Sequence, residues 1–230
     1  NSFGEAKIVT AANCFAHMEN IHEVVEAILQ LLSKDGVFIS ESHYLMPLLE
    51  KLQYDTIYHE HLRYYSLKSL QTLFKAHGLE IIHAKNIPTH GGSLRVYAAR
   101  KGQFEVRSSV KEMLLKETRR GDIRTQLSTF ARKVLSSKLE LLRLIADLKK
   151  SNKTIVGISA PSRASTLINY VGLTEQVLDY VVEISGSHKI GKLMPGTRIP
   201  VVDETVIFEH QPDYALLLSW HIAEELIPKL

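Results

Sequence analysis

The sequence predicts an α/β protein built as two successive strand–helix series, and three observations carry that prediction. Short apolar runs bounded by turn residues alternate with helix-period stripes over roughly the first hundred residues. A strongly charged stretch at 107–150 follows, with helical leucine spacing. From Lys153 a second strand–helix rhythm starts. The expected division is 1–106, a helical connector at 107–150, and 151–230.

Lys7–Ala12 reads as a short buried strand by its length and its flanks. Ile21–Lys34 carries a helical apolar stripe, ended by Asp35-Gly36 with Gly36 in the left-handed cap position. Val37–Ser40 is the next strand, and Leu45–Leu52 a short helix. After a loop, Ser66 is the expected N-cap of a helix over Leu67–His77, closed by Gly78. Leu79–Ile87 and Leu94–Arg100 read as an antiparallel pair joined by a turn holding Pro88, His90, Gly91 and Gly92. The connector breaks near Gly121, and its charges are expected to form a solvated face. Strands at Thr154–Ile158, Tyr180–Glu183 and Tyr214–Leu218 follow, with a helix at Ala164–Tyr170, while PGTRIPV at 195–201 reads as a rigid turn.

Composition narrows the function. The 230 residues carry 28 basic and 25 acidic side chains, a net +3, which leaves no broad footprint for nucleic acid. No apolar run is long enough to span a membrane. The single cysteine, Cys14, excludes an internal disulfide and a cysteine-cluster zinc site, and fits a reducing, cytoplasmic compartment.

The chemistry concentrates in Tyr54–Leu67, YDTIYHEHLRYYSL, which packs four tyrosines, two histidines, an aspartate and a glutamate into fourteen residues. Its polarity argues against a packed core, and its apolar residues follow neither the helix nor the strand period. A loop with His, Glu and Tyr has the means of proton transfer: an imidazole titrating near neutrality, a carboxylate to orient it and a phenol for a substrate oxygen. The alternative is a solvated aromatic loop.

Four segments line up in order: Asn13–His17, Tyr58–His61, HGGSLRVY at 90–97, and SAPSRASTLINY (159–170) with GKLMPGTRIPV (191–201). Together they resemble the sugar C-methyltransferases, enzymes that use S-adenosylmethionine to methylate a carbon of a nucleotide-linked keto-deoxysugar. The resemblance covers nearly the whole chain. It implies the C-terminal part of a Rossmann-like class I methyltransferase domain followed by a second Rossmann-like domain. It also implies that the chain enters the first domain at its fourth strand, without the earlier glycine-rich and acidic cofactor-binding segments, and that a zinc-binding region precedes them in the parent protein. The fragment alone is then expected to be inactive, and the last strand of the second domain is expected to be missing.

By this resemblance His61 is the expected base, Glu60 orients or sustains it, Tyr58 donates to the enolate oxygen, and His17 completes the set. A loop histidine satisfied by backbone is the alternative for His17. Ala12 and Asn13 are placed against the cofactor by analogy of fold. His90 and Arg95 are candidates for a phosphate or sugar oxygen, although Gly91 and Gly92 can also serve only the turn. In the second series Ser162 and Arg163 stand at a helix start suited to a pyrophosphate, with Lys189 and Arg198 in flanking loops as further cations or as ordinary surface charges. Ala164 stands where the family commonly has glycine. Two rivals remain: a nucleotide-binding module without chemistry, and a small-molecule O-methyltransferase.

Overall fold

The computed structural model describes residues 4–229. The chain forms two compact units, one of residues up to Gln53 with His59–Phe130, the other of Tyr54–Tyr58 with the chain from Ala131 onward.

The first unit begins with β1 (Ala6–Ala12), α1 (Ile21–Leu31) and β2 (Leu32–His43). The helical stripe read to Lys34 therefore ends at Leu31. Leu32 caps the helix through its N–H to the Ile28 carbonyl and already pairs with Ala6 of β1. An apolar residue at this boundary suits either element, and the sheet takes it. Gly36 is not a left-handed cap. A Cβ there would lie 2.7 Å from Leu32 Cδ1 and 2.9 Å from the Ala6 carbonyl oxygen, so the glycine admits β1 close to β2.

Next come α2 (Leu45–Glu50), α3 (Leu67–Ala76), β3 (Leu79–Ile87), β4 (Ser93–Arg100) and α4 (Ser108–Arg119). Ser66 caps α3 as expected: its side chain accepts the Ser69 N–H, and Ser69 Oγ accepts the Ser66 N–H in return. The strand order is β1-β2-β4-β3. β1 and β2 are parallel, and β4 runs antiparallel to both neighbours, which is the expected hairpin with β3. Phe15, Phe38 and Phe74 form the aromatic centre of the core, with ring centroids 5.6 to 6.0 Å apart.

Not every charge of α4 is solvated. Glu117 is buried, accepting the Tyr44 hydroxyl at 2.9 Å and the Leu67 and Lys68 N–H groups at 2.6 and 3.1 Å. It thus neutralises the opening of α3. Burial first, and Glu117 second, push the Tyr44 phenol well above its ordinary range.

A long helix, α5 (Ile123–Lys150), precedes β5 (Ile155–Ile158), α6 (Ser162–Val171), β6 (Val181–Glu183), β7 (Val201–Asp203), α7 (Val206–His210) and β8 (Tyr214–Leu217), and the short α8 (Ala223–Leu226) follows. Strand β7 begins at Val201, the last residue of the segment read as a rigid turn. Its three residues sit just past Pro200, too few to show a period. This sheet is wholly parallel, in the order β7-β6-β5-β8. Ile155, Leu167, Ile168, Val181 and Leu218 pack on one of its faces, Val156, Ile158 and Val182 on the other. No helix among the described residues is long and apolar enough to cross a membrane.

Candidate active site

The carboxyl ends of the parallel pair β1 and β2 gather the polar side chains of the first unit, at the edge where open α/β sheets bind ligands. Asn13 follows β1 with φ 54, and its N–H reaches the Glu41 carbonyl at 2.9 Å. Asparagine tolerates this left-handed backbone better than most residues. A 3-10 turn, Phe15–His17, comes next. Phe15 and Ala16 are buried, and His17 is left exposed.

At the end of β2, alternation places Glu41 and His43 on one face and Ser40 and Ser42 on the other. Glu41 opposes Arg95 across the ladder and accepts its Nε at 2.7 Å, with Thr89 Oγ1 adding a bond at 3.3 Å. Arg95 is therefore an ion-pair partner first, with its side chain one-third exposed.

His43 Nε2 lies 2.6 Å from Gln53 Oε1, and Gln53 Nε2 donates to the Gly91 carbonyl at 3.0 Å. A carbonyl only accepts, so the amide orientation is fixed, and His43 must carry its hydrogen on Nε2. Lys51 Nζ donates to the same carbonyl at 3.0 Å. The HGGS turn thus sets the Gln53–His43 pair. A Cβ on Gly91 would meet Gln53 Nε2 at 2.6 Å, and one on Gly92 would meet Pro47 Cβ at 2.7 Å.

The structure brings His61 to this group. Its ring meets His17 edge-on at 4.9 Å and Tyr64 edge-on at 5.9 Å, and His43 lies 6.4 Å away. Tyr64 also lines a cavity of about 570 Å³ with Leu45, Met46, Leu114 and Gln126. His90, with φ 54 and exposed, sits 3.4 Å from Asn13 Nδ2. Sequence reasoning misses His43 and Glu41, because the run that marks the strand in sequence ends at Ser40. Their alternate positions were the signal available.

Glu60 is exposed. Tyr58 belongs to the Tyr54–Tyr58 stretch of the second unit. That stretch corrects the expectation that the run's polarity keeps it out of a packed core: Tyr54, Asp55 and Thr56 are buried. Arg163 is corrected too. Its Nε and Nη2 bind Asp55 at 2.6 and 2.7 Å in the interior, so the fork is engaged and not presented to an anion at the helix start. Lys189 Nζ donates to the Ala160 carbonyl at 2.8 Å and lies 3.4 Å from Glu183, while Ser162 and Arg198 are exposed.

Among the described residues no group of three or more His, Cys, Asp or Glu is arranged to hold a metal ion. Ala12 and Asn13 are exposed at the carboxyl end of β1, offering a side-chain amide beside a methyl group.

Comparison with known proteins places the chain in a family. Residues 2–84 match the model of a methyltransferase domain, and residues 88–230 match that of a C-methyltransferase C-terminal domain. The second match begins in the β3–β4 turn and so includes β4, a strand of the first sheet. The C-methyltransferase NovU of Streptomyces niveus is 39% identical over 226 residues, 97% of this chain and 54% of that protein, so the chain spans about half the length of this relative. The magnesium protoporphyrin IX methyltransferase of Synechocystis PCC 6803, solved with bound SAH, aligns over 43% of this chain and 46% of its own at 13% identity, with a TM-score of 0.34, too slight a likeness to argue from. On the family match and the near full-length identity, this chain belongs to the C-methyltransferase family.

Proposed function

We propose that the protein of which these residues are part transfers a methyl group from S-adenosylmethionine to the carbon beside the ketone of a nucleotide-linked deoxysugar. The observation that carries this reading is the edge-on contact of His61 with His17 at the carboxyl end of β1, beside Asn13.

A carbon next to a ketone becomes nucleophilic only when a proton leaves it. His61 takes that proton, and the C–H electron pair passes into the enolate. His17 holds the His61 ring edge-on, and His43, pinned by Gln53, closes the group on another side. Tyr58, three residues earlier in the chain, supplies the phenol that hydrogen-bonds the enolate oxygen. Glu60 supports the charge of the imidazolium from the neighbouring position in sequence. His90 and Arg95 form the polar border on the sugar side, Arg95 through the part of its guanidinium that Glu41 leaves exposed. S-adenosylmethionine, when bound, would supply an electrophilic methyl on a positively charged sulfur, and Ala12 and Asn13 would help to hold it. Within the second unit, Ser162 and Lys189, which follow β5 and β6, and Arg198, which precedes β7, are the remaining candidates for a phosphate.

The test is product analysis by carbon–proton correlation spectroscopy, using the natural full-length protein, methyl-labelled S-adenosylmethionine and a thymidine-diphosphate keto-deoxysugar. A label on ring carbon supports the proposal. A label on oxygen replaces it with the O-methyltransferase reading. Tight sugar-nucleotide binding without methyl transfer leaves a binding module.

A further inference from the structure

Asp55 is a buried carboxylate of the second unit that accepts from two side chains. Two guanidinium N–H groups of Arg163 reach its two oxygens, and Trp220 Nε1 donates to Oδ2 at 2.8 Å. The guanidinium also lies 5.1 Å from the centroid of the Trp220 indole. The pair is interior, with side-chain exposures of 8% for Arg163 and 2% for Asp55. Buried ion pairs are weak devices for stability, since apolar groups of the same shape often serve as well. What a bidentate pair supplies is direction: two parallel bonds fix both the position and the plane of the carboxylate.

The remaining ties fall on the same short stretch. The Tyr54 ring packs against Tyr170 at 5.4 Å, and its hydroxyl is bonded to Ser137. Thr166 Oγ1 approaches the Ile57 carbonyl at 3.5 Å. Inside the stretch the Ile57 N–H returns to the Tyr54 carbonyl and the Tyr58 N–H to that of Thr56. Residues 54–57 are thus fastened to α5, α6 and the turn at Trp220, and the next residue is Tyr58.

We infer that Arg163 and Trp220, acting through Asp55, are positioning residues for Tyr58. The inference rests on the reading of Tyr58 as catalytic. Neither residue touches substrate. Together they fix the backbone from which the Tyr58 phenol projects.

The experiment uses the natural full-length protein and compares Asp55→Asn, Arg163→Lys and the pair Asp55→Asn with Arg163→Met, which removes both charges while keeping the shape. Amide exchange over residues 54–58 and steady-state kcat and KM are read on each. The expected result is faster exchange confined to this stretch, with kcat lowered about tenfold or more and KM for S-adenosylmethionine little changed, as misplacement of a catalytic group produces. Arg163→Lys keeps the charge but loses the fork, so it falls between wild type and the pair. Unchanged exchange, or faster exchange with unchanged kcat, overturns the inference. A wild type without methyl transfer, or a Tyr58→Phe variant as active as wild type, overturns the catalytic reading on which it rests.

Discussion

Replacing Gly91 with alanine tests how the turn after β3 is tied to the histidine cluster. Gly91 has φ +85, where a side chain is strained by about 1–2 kcal/mol. The new methyl would also press on Gln53 Nε2 at 2.6 Å, and moving that side chain gives up its bond to the Gly91 carbonyl, about 0.5–1.5 kcal/mol. The stiffer unfolded chain returns roughly 0.4–1 kcal/mol. The net expectation is a loss of about 0.5–3 kcal/mol, read from urea midpoints. Gly102 is the control: it has φ +77, yet a Cβ there would meet no atom within 4 Å. Gly102→Ala shares the backbone strain and lacks the contact. Gly91→Ala should therefore be the less stable of the two. It alone should lower methyl transfer, because Gln53 orients His43 beside His61. Equal stability and equal activity of the two variants would refute the reasoning.

Other consequences follow from single residues. Glu117→Ala strips three donors of their acceptor at the start of α3 and should destabilise the first unit by about 3 kcal/mol in chemical denaturation, with Glu117→Gln costing less. Asp213 is held down at about 2, from an ordinary 3.8, by Lys153 and then by the Thr154 N–H and hydroxyl. A depressed folded value means that its contribution is complete above 3.8 and is lost as pH falls towards about 2. The stability difference between wild type and Asp213→Asn should therefore shrink across that window. A difference independent of pH there would contradict the pairing.

Much of the frame is legible in the sequence because its signals are local. The β3–β4 hairpin announces itself through the proline–glycine turn, and α3 through the Ser66 cap and its apolar stripe. The misreadings occur where distant partners decide. Leu32 suits helix or strand, and its pairing with Ala6 settles the matter. Asp55 looks like part of a solvated polar run, yet its partners lie 108 and 165 residues along the chain, and they make its burial tolerable. Arg163, read as a free cation at a helix start, is one of those partners. Of the expected site, His17, His61, Asn13, His90 and Arg95 belong to the first unit at or near the carboxyl ends of β1 and β2. His43 enters through strand alternation beyond the point where periodicity was readable.

The central claim is that His61 removes a proton from the carbon beside a ketone. The most direct measurement is exchange of that proton for deuterium in heavy water, followed by proton spectroscopy of the nucleotide-linked keto-deoxysugar with the natural full-length protein, side by side with His61→Ala. The account predicts exchange with wild type and its loss in His61→Ala, while sugar-nucleotide binding is retained. Exchange at the wild-type rate in His61→Ala would contradict it.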